Sequence, residues 1–164
     1  MVEMFHGKCA YCESKITHVD YGHIEHYRPK SKFPQLTFEW SNLLLACGMC
    51  NGTKYKGEHF PESQEGGLLV NPCKDMPTKH FTFDYDPTTQ MASVYGSTVR
   101  GETTEKLLGL NRDELRRHRS KRVRQLYCLA KLAKTDKEAK VLLKEAIQAD
   151  AEYAAFARMI YQSE

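Results

Sequence analysis

The chain has 164 residues, 41% hydrophobic and 27% charged, with a formal net charge of +3. That composition suits one soluble globular domain, or one small domain with an appendage. The charge is too small to argue nucleic-acid binding by itself, no run approaches the ~20 apolar residues of a membrane span, and residues 1–8 lack the apolar stretch of an export signal.

The first sixty residues are dense in Cys, His, Tyr and Gly and poor in helical periodicity. Cys9 with Cys12 and Cys47 with Cys50 form two Cys-x-x-Cys pairs. Four thiols in two knuckles predict a closed tetrahedral Zn2+ site, structural because no ligand position is left for water. Without an export signal, a reducing cytoplasmic setting and zinc fit better than disulfides. Cys73 and Cys128 are left over and read as small buried apolar residues. Residues 21–26 suit a short strand, and Pro29 and Pro34 force an irregular loop after it. Leu43, Leu44, Leu45 and Ala46 make an apolar run into the second knuckle. A helix is predicted to begin near Cys50 and to carry Asn51, Lys54 and Tyr55 on one side. So small a core would owe much of its stability to its metal.

Residues 61–100 read as loop and strand. Leu68, Leu69 and Val70 end at Asn71-Pro72. The alternation from His80 to Tyr85 predicts a strand, turning at Asp86-Pro87 and returning over 91–95 as a hairpin. From Gly101 onward the pattern is helical. Residues 104–108 predict a short helix with Gly109 as its C-cap. Asn111 with Glu114 predicts an N-cap and a helix to about Ala133. Thr135 with Glu138 repeats the device for a helix to about Ala149, and a last helix is expected over 151–161. The expected organisation is 1–60, 61–100 and 101–164.

Glu25-His26 lies between the two knuckles. Adjacent strand residues point to opposite faces, so both reach one spot only if the backbone twists there. The plain alternative is a Glu25–Arg28 ion pair with His26 in the core. The surrounding pattern argues against it. Glu25-His26 resembles the Asp-His pair that opens the HNH endonuclease motif. Trp40-Ser41-Asn42-Leu43-Leu44 resembles its central Trp-x-Asn-Leu, and Cys47-Gly48-Met49-Cys50-Asn51-Gly52-Thr53-Lys54 its closing Cys-x-x-Cys-Asn-x-x-Lys. Asn42 and Asn51 stand nine residues apart, as the matching positions do in many members. The wider pattern, with Tyr27-Arg28-Pro29-Lys30, Asn71-Pro72 and His80-Phe81, is similar to the HNH nuclease that accompanies an ATPase in Septu-type and some retron anti-phage systems.

The resemblance implies an α+β protein. Its ββα-metal core would be stapled by the four-cysteine zinc, with a β-rich middle and C-terminal helices. It implies a metal-dependent endonuclease hydrolysing phosphodiester bonds of DNA or RNA. His26 would be the general base, since a free imidazole titrates near pH ~6.5. Asn42 would orient the His26 ring. Glu25 and Asn51 would hold a divalent cation, and oxygen ligands favour Mg2+ or Mn2+. Lys54 would neutralise a phosphate. Glu25 stands where Asp is commoner and Asn51 where His is. Tyr55 replaces a third histidine ligand found in some members, which argues against a nickel- or zinc-type catalytic metal. His23 could touch substrate or metal and His59 could face the site, though a structural reading is the better one for each. His80 and His118 read as structural or phosphate-facing.

Arg28 and Lys30 admit phosphate contact or a solvated surface equally. A basic stripe from Arg112 to Arg124, including Arg116 and Arg119, could neutralise phosphates or dock an acidic partner surface. No base-reading motif is present. Two rivals remain at this point. One is a zinc-knuckle module that binds nucleic acid without chemistry. The other is an interaction subunit docking an ATPase through Leu126, Leu129, Leu132, Leu142, Leu143 and Ile147, a stripe that internal helix packing also explains. A homodimer is possible, because a double-strand break often needs two active sites.

Overall fold

The computed structural model describes residues 1–62 and 68–162; residues 63–67 of the expected 61–100 segment, and 163–164, lie outside it. The structure is mixed α and β, with two small two-stranded sheets and five helices among the described residues. Its contacts divide into two compact units, Met1–Thr82 with Tyr95–Leu110, and Phe83–Val94 with Asn111–Glu164.

The first unit is built on β1 (His23–His26) and β2 (Leu43–Ala46). They pair antiparallel, with His23 opposite Ala46 and His26 opposite Leu43. Leu44, Leu45 and Ala46 are buried on both faces of β2, as a continuous apolar run requires. Leu44 packs with Tyr27, Phe60 and Leu69 into a core. Phe60 meets the rings of Tyr27 and Phe33 edge-on at 5.2 and 5.6 Å, a favoured aromatic geometry. β2 runs directly into α1 (Gly48–Asn51), which Cys47 caps. The expected longer helix is only one turn. Asn51 is its last residue, and Lys54 and Tyr55 lie in the turns that follow. No strand forms at Leu68–Val70; Val70 N–H donates instead to the Thr104 hydroxyl at 2.8 Å.

The helix predicted over 104–108 is longer, α2 (Val99–Leu108), because Thr98 caps it by accepting from Gly101 N–H. It ends at Gly109 in the left-handed region, φ +53°. A Cβ there would also lie 2.2 Å from the Tyr55 ring, so both backbone and packing require glycine. Arg100 on α2 donates to Asp75 Oδ2 at 2.6 Å and to the Leu68 and Leu69 carbonyls. Partial burial pushes the Asp75 carboxyl up, but the Arg100 and Asn71 N–H hydrogen bonds outweigh it and hold it below the usual range. A lowered acid contributes stability that is present above its unfolded pKa and lost as pH falls through the folded one. Asp75→Asn should therefore cost about 1 kcal/mol or less at neutral pH, because the pair is partly exposed. It should also flatten the loss of stability below pH ~4. Urea titrations at two pH values check this; equal slopes in both proteins would refute it.

In the second unit, α3 (Asp113–Leu132), α4 (Lys137–Ala146) and α5 (Ala154–Gln162) pack together. Val123, Leu126 and Ala130 of α3 are buried, as are Leu143 of α4 and Phe156 and Ile160 of α5. Phe83 of β3 (Phe81–Asp86) meets Phe156 edge-on at 5.2 Å, and Tyr85 stacks on Tyr127. Two predicted caps are misplaced. Asn111 does not cap α3. Its amide exchanges two hydrogen bonds with the Val94 backbone in β4 (Met91–Gly96). Asp136 rather than Thr135 caps α4, accepting from Ala139 N–H at 2.7 Å. Cys73 and Cys128 are exposed rather than buried. In the leucine stripe, Leu126 and Leu143 are buried while Leu132 and Leu142 are exposed.

Candidate active site and metal centre

The four knuckle sulfurs lie within 4.8 Å of one another, and Cys12 Sγ stands 4.0 Å from Cys47 Sγ. A tetrahedral ion with Zn–S bonds of ~2.3 Å sets sulfurs ~3.8 Å apart, so the cluster fits one. The backbone builds it from two sides. Ala10 N–H donates to Leu45 O at 2.8 Å, which fastens the first knuckle to β2. In the second, Cys50 N–H donates to Cys47 Sγ at 3.4 Å. Burial pushes the Cys9 thiol well up, while hydrogen bonding from Cys12 and its neighbours draws Cys47 far down. So many sulfurs share negative charge only with a cation among them. The four cysteines could thus form a zinc site.

His26 and Glu25 part company on β1. Glu25 lies at 3% exposure, its Oε1 2.8 Å from Lys56 Nζ. Tyr11 OH also donates to it, at 3.3 Å. Lys56 is fully buried and donates as well to the carbonyls of His26 and Gly57. Burial pushes the Glu25 carboxyl up and the Lys56 amine down, each shift opposed by the partner's charge. Lys56 is the residue that sequence reasoning missed. The only available signal was the need of a buried carboxylate for a partner. The alternative Glu25–Arg28 pair does not form among the described residues. The Arg28 guanidinium lies 5.2 Å from the Phe33 ring and 5.4 Å from that of Phe60, a cation–π contact.

His26 is half-buried, and its Nε2 stands 3.0 Å from the Thr37 carbonyl. A carbonyl only accepts, so Nε2 carries the hydrogen and Nδ1 keeps the basic lone pair. Among the described residues no hydrogen bond joins Asn42, 5% exposed, to the ring. Its Oδ1 accepts from Arg28 N–H at 2.8 Å, and its Nδ2 donates to Arg28 O and Leu36 O. It therefore ties down both ends of the loop whose Thr37 carbonyl holds His26. Asn51 Nδ2 lies 3.1 Å from His23 Nδ1. His23 shares a strand face with Glu25, two residues on. Lys30, Lys54 and His59 are exposed. His80 is structural, its Nδ1 2.9 Å from the Thr98 hydroxyl. His118 lies 3.4 Å from Glu152.

Of the two residues expected to hold an oxygen-bound cation, Asn51 pairs with the exposed His23, whereas the Glu25 carboxylate is engaged by the Lys56 ammonium at 2.8 Å.

A strand pair feeding a knuckle, with a histidine on one strand, is what the structure forms over the motif; Asn42 bonds the Arg28 and Leu36 backbone rather than the His26 ring. An HNH endonuclease family model matches residues 9–57. Residues 9–57 are thus an HNH endonuclease domain. Three relatives extend the match beyond the HNH segment. A Septu protein PtuB of Bacillus mycoides (strain KBAB4) is 34% identical over 145 residues, covering 73% of this chain and 48% of its own. A Retron Vc95 protein of Vibrio cholerae serotype O1 biovar El Tor is 31% identical over 135 residues, covering 77% of this chain and 62% of its own. A Septu protein PtuA of the same Bacillus strain is 30% identical over 142 residues, 70% of this chain and 19% of its own. The chain thus spans about half the length of the PtuB relative. No solved structure matches. No helix among the described residues is long and apolar enough to cross a membrane.

Asn42 holds the loop that leads to Thr37, whose carbonyl meets the His26 ring. Asn42→Ala should cost about 1–3 kcal/mol through its unpaired backbone partners. It should also lower kcat more than it raises KM, because the base loses its aim. A variant that loses stability alone, with kcat intact once folded, would make Asn42 merely structural.

Proposed function

We propose that this chain is a metal-dependent endonuclease that hydrolyses phosphodiester bonds, with His26 as general base. The observation that carries the reading is the His26 ring, fixed by the Thr37 carbonyl through Nε2, within an HNH segment. Nδ1 takes a proton from the attacking water. Lys54 and Lys30, both exposed, would neutralise phosphates. The four cysteines hold Zn2+ as a staple. Asn51 would hold Mg2+ or Mn2+ through its amide oxygen, joined by Glu25 where the Lys56 pair opens, and the ion would supply charge stabilisation to the phosphodiester. The Septu and retron relatives support a role in anti-phage defence, and the reading adds an ATPase partner and a cytoplasmic setting.

The test offers plasmid DNA, single-stranded DNA and transfer RNA to the full chain with Mg2+, Mn2+ or no added divalent ion. Metal-dependent cutting of one substrate class is the expected result. The absence of cutting in every condition, also with a candidate ATPase partner added, would favour a zinc-knuckle binding module instead.

A further inference from the structure

The seven cations between Arg112 and Arg124 meet different fates according to the face of α3 they occupy. Arg119 is buried, its guanidinium donating to Ala92 O at 2.8 Å and to Asn111 Oδ1 at 2.8 Å. Arg116 Nε donates to the Ser93 hydroxyl at 2.9 Å. The two arginines expected on the nucleic-acid surface thus secure β4 to α3, Arg119 wholly and Arg116 in large part. Arg117, Lys121 and Arg124 are exposed and spaced i, i+4 and i+7, one face of the helix.

These three line a cavity of about 590 Å3 with Gln90, Met91, Glu114 and His118. Arg124 Nη1 donates to Gln90 Oε1 at 2.9 Å. Gln90 sits at φ +57° in the turn that Asp86 fixes through Thr88 N–H and the Thr89 hydroxyl. Arg117 and Lys121 have no hydrogen-bond or ion-pair partner among the described residues. Within the lining, Glu114 is the one acid against three cations, with Asp113 one turn before Arg117 on the helix. Like charges at i, i+4 destabilise a helix by a few tenths of a kcal/mol, so this row does not serve the stability of α3.

We propose that this cavity binds the sugar–phosphate backbone of nucleic acid, a contact formed by residues outside the HNH segment. Helical rise places Arg117 and Arg124 ~10 Å apart along the axis. At ~3.4 Å per nucleotide of one strand, the row matches about three successive phosphates. The lining argues against a protein partner. Interface cores are rich in aromatic residues and poor in Lys, whereas Met91 is the sole apolar side chain here. Base stacking would fall to the single His118 ring, which faces Glu152 at 3.4 Å, and not to a run of aromatic side chains. The contact is therefore with phosphates and independent of sequence. The identity of the polyanion rests on the nuclease reading; the anion site itself does not.

The experiment measures anisotropy of a labelled duplex with the zinc-loaded full chain, without added Mg2+ or Mn2+, across a salt series. Three proteins are compared: the wild type, Arg117→Gln/Lys121→Gln/Arg124→Gln, and a charge-matched control, Lys137→Gln/Lys140→Gln/Lys144→Gln on the exposed face of α4. The first triple should bind at least tenfold more weakly at ~50 mM salt. It should also lower the slope of log K against log salt by about 2–3, while the control changes little. If helicity of the triple falls, each single variant should lower the slope by about 1. An unchanged slope, equal losses in both triples, no wild-type binding at low salt, or displacement by polyglutamate as readily as by DNA would each overturn the proposal. Intact cutting with an unaltered slope removes this site alone. Normal slopes with no cutting in any metal remove the nuclease reading alone.

Discussion

Cys50→Ser should unfold the first unit, and so should removal of its metal by a strong chelator. Cys50 is fully buried, and its sulfur belongs to a cluster in which all four lie within 4.8 Å of one another. The cluster is also the clasp that brings residues 9–12 onto the end of β2, where Ala10 N–H already meets Leu45 O. The apolar core beside it is small, with Tyr27, Leu44, Phe60 and Leu69 at its centre. For domains of this kind, metal-binding free energy is folding free energy, of order 10–16 kcal/mol in zinc-finger peptides. Losing one sulfur should therefore cost several kcal/mol, more than a core of this size can spare. Amides of residues 9–57 should lose their protection from hydrogen exchange in the variant and in the chelated wild type alike. Those of α3, α4 and α5 should keep theirs, since Val123, Leu126, Phe156 and Ile160 are buried among their own helices. Protection that survives chelation in both regions would show that the sulfurs hold no structural ion.

The cysteines were legible in the sequence because spacing alone specifies a knuckle. β1, β2 and the hairpin strands were legible for the same reason, as short apolar or alternating runs bounded by Pro, Gly or Asp. What spacing did not disclose was partnership at a distance. Glu25 reads as a metal ligand in a linear motif, yet it is buried opposite Lys56, thirty-one residues on. Asn111 has the local signature of a helix cap, yet the Val94 backbone competes for its amide and wins. Arg116, Arg117 and Arg119 look equivalent in a basic run. A 3.6-residue period sends Arg119 fully inward and Arg117 out. Local rules therefore located the site, and tertiary packing decided which of its charged groups are free to act.

His26→Ala should lower kcat about 100- to 10,000-fold, the usual contribution of a general base, and leave nucleic-acid affinity nearly unchanged. The reason is geometric. The Thr37 carbonyl fixes the Nε2–H tautomer, so the ring's one basic atom, Nδ1, has no hydrogen-bond partner among the described residues. Alanine removes that atom and little else, because the ring is half-buried and outside the packed core. Added imidazole should restore part of the rate to the alanine variant, whereas it should do nothing for Asn42→Ala, where the base is present but misdirected. Thr37→Ala should be nearly silent, since the contact comes from the backbone and the Thr37 hydroxyl serves only Pro34 O. A His26→Ala protein that cuts at the wild-type rate, purified in parallel and free of contaminating nuclease, would remove His26 from the chemistry. A deficit that imidazole cannot relieve, together with lost binding, would reassign the ring to structure.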